Sequence, residues 1–117
     1  MNFEIYQIKS IDETISERFV SYSFLNEKLI KHADPENYEL VYQGRSEDFV
    51  KNHPDKEQLL EQLYIIFNNS KYPEGYEGRS MSVSDVVVLD DGNTRETYYT
   101  DSIGFIDITK YWEPERQ

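Results

Sequence analysis

The stretch that most limits what this chain can fold into is "SDVVVLDDGNTRETYYT", residues 84–100. Four consecutive apolar residues, Val86 to Leu89, run into the acidic turn "DDGN", and "RETYYT" follows. A short β-branched run bounded by turn residues reads as a strand. A Gly or Asn at positive φ then reverses the chain into a second one. The turn needs Gly92 or Asn93 in that conformation, and the first strand reads as a central one. A sheet is therefore fixed before the rest of the chain is considered.

Around this hairpin, "NFEIYQIK" at 2–9 reads as a strand covered in part on both faces, with Phe3, Ile5 and Gln7 on one side and Glu4, Tyr6 and Ile8 on the other. Residues 21–31, "SYSFLNEKLIK", change to a helical period, with Tyr22, Leu25 and Leu29 on one stripe and Ser21 at the N-cap position. Pro35 ends that helix. "YELVYQG" at 38–44 alternates Tyr38, Leu40 and Tyr42 against Glu39, Val41 and Gln43, a second strand.

The clearest helix falls within 53–70. Leu59, Leu60, Leu63, Ile66 and Phe67 form its apolar stripe, and Asp55 with Gln58 has the form of a capping box, with Pro54 as a competing start. "KYPEGYEGRS" at 71–80 is a loop with two tyrosines, Tyr72 and Tyr76, that look exposed. "IGFIDIT" at 103–109 is a last strand whose alternation slips near Gly104, as a bulge would make it. Tyr111 and Trp112 are expected to lie back on the domain. The order β-α-β-α-β-β-β describes one α+β domain over residues 1–117, a mainly antiparallel sheet of about five strands with two helices on one face.

Composition narrows the chemistry. There is no cysteine, so no disulfide, thiolate metal site or cysteine nucleophile. The N-terminus lacks the basic and apolar regions of a signal peptide, and no apolar run reaches membrane-spanning length. A reducing cytoplasm is the expected setting. Twelve Lys and Arg face 23 Asp and Glu, a formal charge of -11. Such a field repels phosphates and anionic membranes and favours a protein partner with a basic surface. The basic residues are dispersed and form no strip that could track a nucleic acid.

Two candidate chemical sites stand beside this acidic field. Ser82, Ser84 and Asp85 resemble a reactive cluster, but a serine nucleophile needs a base, and the two histidines, His32 and His53, flank helices far along the chain. Asp85, Asp101 and Asp107 could converge as metal ligands if the last strands are adjacent, yet their spacing matches no ligand pattern. No catalytic residue, metal or cofactor is therefore assigned. The residues assigned to partner binding are Tyr72, Glu74, Tyr76, Glu77, Asp90 and Asp91, since tyrosine beside carboxylate suits an Arg- or Lys-rich surface.

"RFVSYSFLNEK", "NYELVYQG", "LLEQLYIIFN" and "YEGRSMSVSDVVVLDDGNTRETYYTDSIGF" occur in order from Arg18 to Phe105. Together they resemble the YodL-like domain, most specifically in residues 78–89 and 98–105. The resemblance implies an origin in conjugative elements, plasmids or phages of Gram-positive bacteria, and a role against host defences. It brings no catalytic residues. The resulting expectation is a non-catalytic inhibitor of a host defence system, in its specific form an anti-CRISPR protein that binds an RNA-guided effector nuclease. The alternatives are an anti-restriction protein and an interaction module of transfer or replication machinery.

Overall fold

The computed structural model describes residues 1–8, 35–51, 54–68 and 73–112. Its centre is a five-stranded, fully antiparallel sheet in the order β2-β1-β3-β4-β5. The strands are β1 (Asn2–Ile8), β2 (Tyr38–Arg45), β3 (Val86–Asp90), β4 (Arg95–Thr100) and β5 (Phe105–Asp107). β3 is central, and Val86 to Leu89 are all buried, because both faces of the sheet are covered. That is why the run is continuous rather than alternating.

One face packs under α1 (Lys56–Phe67). Leu59, Leu60, Leu63 and Phe67 meet Phe3, Ile5, Val87 and Leu89 there, with Met81 fully buried among them. The capping box forms as the sequence indicates: the Asp55 carboxylate accepts from Gln58 N at 2.8 Å, and Gln58 Oε1 accepts from Asp55 N at 3.4 Å. Asp55 is the N-cap, so Pro54 lies outside the helix.

The opposite face is closed by Tyr6, Ile8, Tyr38, Val86, Val88, Tyr99, Ile108 and Trp112. Trp112 sits on α2 (Thr109–Trp112), a single helical turn capped by the Asp107 carboxylate, which accepts from Thr109 N at 2.9 Å. Its ring meets Tyr6 and Tyr38 edge-on at 5.4 and 5.2 Å. Trp112 thus folds back as expected.

Three expectations change. Two helices on one face are not found: among the described residues α1 is the one full helix, and α2 is a single turn under the other face. The helix expected over 21–31 lies outside the described residues. The alternation expected for 38–44 fails at Val41, where the pairing of β1 with β2 skips one residue between Ile5↔Tyr42 and Tyr6↔Leu40. The irregularity turns both Val41 and Tyr42 toward the α1 side and leaves Leu40 44% exposed. The slip near Gly104 is a turn rather than a bulge. Asp101 N donates to Gly104 O at 3.0 Å, Gly104 takes φ +77°, and the last strand begins only at Phe105.

Candidate functional site

Residues 73–85 lie between α1 and β3 and carry Glu74, Tyr76, Glu77, Ser82, Ser84 and Asp85. Backbone bonds clamp this loop to three elements. Met81 N donates to Phe67 O at the end of α1 at 2.8 Å, and Asn68 Nδ2 donates back to Met81 O. Glu77 N donates to Val41 O on β2 at 3.1 Å, and Ser84 N donates to Thr100 O on β4 at 2.9 Å.

Beneath the clamp lies a buried polar network around Asp85, which has no exposed surface. Its Oδ2 accepts from Gln7 Nε2 at 3.0 Å and from Ser82 N at 2.9 Å. Its Oδ1 accepts from Arg79 Nη2 at 3.1 Å. Gln7, itself 3% exposed, also donates to Arg79 O at 2.9 Å and to the Tyr76 hydroxyl at 3.1 Å, and accepts from Arg79 N at 3.0 Å. Gly78 is required here. A Cβ on it would overlap Gln7 Oε1 and stand 3.0 Å from Val41 Cβ.

Burial pushes the Asp85 carboxyl up to about 6, against the opposing pull of the Arg79 guanidinium and the bonds from Ser82 and Gln7. Ser84 beside it takes φ +87°, the left-handed conformation, and the Tyr38 hydroxyl donates to its carbonyl at 2.7 Å. Asp85 thus bonds both its own turn and a neighbouring strand, as a strand entry does. The Ser82 hydroxyl has no hydrogen-bond partner among the described residues.

The six residues assigned to partner binding do not form one surface. Tyr72 lies outside the described residues. Glu74 and Glu77 are exposed and line one shallow groove of about 360 Å³ with Leu40, Tyr42 and Gly75 at the edge strand β2. Neither makes an ion pair with a described residue. Tyr76 is half-buried instead: its ring packs on Phe67 at 5.2 Å and its hydroxyl donates to Arg79 O.

Asp90 and Asp91 stand elsewhere. Asp90 pairs with Asn2, and Asn2 with Arg45, four residues along β2 from the Val41 that anchors Glu77. At roughly 3.3 Å per residue that is about 13 Å. Asp90 accepts from Arg95 Nη1 at 3.4 Å and Gly92 N at 2.8 Å. Asp91 accepts from Asn93 N at 2.8 Å and Thr94 N at 2.9 Å, and these bonds hold its carboxyl below the usual range. Gly92 supplies the positive φ, at +95°.

The three carboxylates weighed as metal ligands are each engaged locally: Asp85 with Arg79, Asp101 with Ser102 N, and Asp107 with Thr109. Among the described residues no group of three or more His, Asp or Glu is placed to hold a metal ion. Both histidines lie outside the described residues. No helix among those residues is long and apolar enough to cross a membrane. Sequence reading missed Gln7 and Arg79. A glutamine on the core side of a strand, and an arginine after a loop glycine, were the available signals.

The model of the YodL-like domain matches residues 2–111, nearly the whole chain. The chain belongs to the YodL-like domain family. No curated protein and no solved structure matches it. The match extends the resemblance at both ends. It takes in β1, which supplies Gln7 to the buried network, and α2 as far as residue 111. The loop and hairpin that carried the resemblance are, in this YodL-like domain, the segments that build and cover that network.

Proposed function

We propose that this YodL-like domain is a non-catalytic inhibitor of a host defence system, an anti-CRISPR protein that binds an RNA-guided effector nuclease in the bacterial cytoplasm. The single observation that supports this reading most is the exposed pair Glu74 and Glu77. They share a groove with the exposed Leu40 of β2 and stand on a loop whose backbone is tied to three elements. A fixed pair of carboxylates beside apolar surface matches the chemistry of a lysine- and arginine-lined nucleic-acid channel. The formal charge of -11 adds long-range attraction to such a channel.

The test is cleavage of a matched DNA target by purified RNA-guided nuclease with rising amounts of this protein. Cleavage is expected to stop by an equal molar ratio, with inhibition weakening as salt rises. Glu74→Lys with Glu77→Lys should weaken inhibition by at least about tenfold, or 1.4 kcal/mol. Absence of both inhibition and co-purification across a panel of effector nucleases would sink the reading. Protection of a plasmid from restriction endonucleases instead would redirect it to anti-restriction.

A further inference from the structure

A second groove, of about 320 Å³, lies between α1, the loop before β3 and the turn joining β4 to β5. Its wall includes the side chains of Ile65, Val83 and Phe105, and its charged lining residues are Glu61 and Asp101. No lysine or arginine lines it.

Exposed apolar surface beside two carboxylates marks it as built to receive something. Of the three large apolar residues exposed among those described, Ile65, 68% exposed, lines the groove, and Ile103, 91% exposed, sits in the turn between the lining residues Ser102 and Gly104. Thr100, in the same wall, is only 3% exposed.

We infer that this groove takes a lysine or arginine side chain of a partner protein, with an apolar neighbour of that residue laid on Ile103. Such a side chain carries an aliphatic stem and a charged tip. The stem matches Ile65, Val83 and Phe105, and the tip matches Glu61 and Asp101. Phosphate-bearing ligands and a second copy of this acidic chain are both disfavoured by charge. The inference goes beyond the nuclease reading, because it stands on the groove's own chemistry whichever machine the partner belongs to.

The test is titration of the isotope-labelled full chain, followed through its backbone amide NMR signals. The probe is a capped peptide alternating leucine and lysine, with two controls in which every leucine is serine or every lysine is glutamate. The leucine–lysine peptide is expected to shift the amides of Glu61, Ile65, Thr100 and Gly104, and neither control should do so at the same concentration. Ile65→Ser with Ile103→Ser, both at exposed positions, should weaken binding at least about fivefold with the rest of the spectrum unchanged. Equal binding of the serine–lysine peptide, shifts centred on Glu74 and Glu77, or unchanged affinity in the Ile65/Ile103 variant would each overturn the inference. No nuclease enters this experiment, so its failure and the failure of the nuclease reading are distinguishable.

Discussion

The two ends of β3 make an instructive pair. Each carries an aspartate that accepts two backbone or amide N–H bonds within a turn or from a neighbouring strand. Asp85 at the entry accepts from Ser82 N and Gln7 Nε2, and Asp91 just past the exit accepts from Asn93 N and Thr94 N. Yet burial raises the Asp85 carboxyl to about 6, whereas Asp91, in water, is lowered by its bonds. The shifts are opposite because desolvation of the charge, outweighed by the backbone bonds at Asp91, outweighs hydrogen bonding and the Arg79 guanidinium at Asp85. A motif rich in Asp and Ser says nothing about which end is which.

The largest effect expected from breaking this contrast comes from Gln7→Leu. It removes the bonds to Asp85, Arg79 N, Arg79 O and Tyr76, leaving a buried carboxylate short of a donor. A loss of about 3 kcal/mol in urea unfolding at pH 7 is expected, with the 73–85 loop losing amide protection first. A loss below about 1 kcal/mol would show that the network does not hold the loop.

The next effect is a pH dependence that sharpens the comparison. For Asp85 the folded pKa lies above the unfolded one, so folding disfavours the ionised form. Its stabilising contribution is complete below the unfolded value near 3.8 and is lost as pH rises through about 6. Relative to Asp85→Asn, which cannot titrate, the natural protein should lose on the order of 2–3 kcal/mol between pH 4 and pH 7.5. Parallel stability profiles for the two proteins would contradict a raised Asp85. Asp91 has the opposite sign: its contribution is present above its unfolded value and fades as pH falls.

Asp91→Ala gives the smallest effect, because water replaces the lost acceptor. A drop in Tm of no more than about 3 °C is expected, with the hairpin amides still protected. A larger drop would mean that the turn, rather than the buried entry, organises β3.

Much of this architecture was legible locally. Asp55 and Gln58 announce the start of α1, and the Leu59–Phe67 stripe gives its buried side. The hairpin around Gly92 and the two-sided β1 follow from period and turn chemistry. The skipped residue at Val41 was not legible, because it is set by how β2 pairs with β1 across some thirty intervening positions. Nor was Tyr76. Its place in a flexible-looking loop suggested exposure, but Phe67 and Gln7 are brought to it only by the packing of α1 and β1.

By itself the sequence determined the antiparallel hairpin, the capped amphipathic helix, the acidic field and membership of the YodL-like family. Each of these depends on neighbours within a few residues, on summed charge or on the pattern of the whole string. Only the tertiary structure decided that Asp85 is sealed against Gln7 and Arg79, and that Glu74 and Glu77 stand apart from Asp90 and Asp91. It alone also brought Ile65, Thr100 and the turn carrying Ile103 together around one groove. Those placements depend on residues dozens of positions apart, and a carboxylate's solvation and a groove's walls are properties of the packed whole.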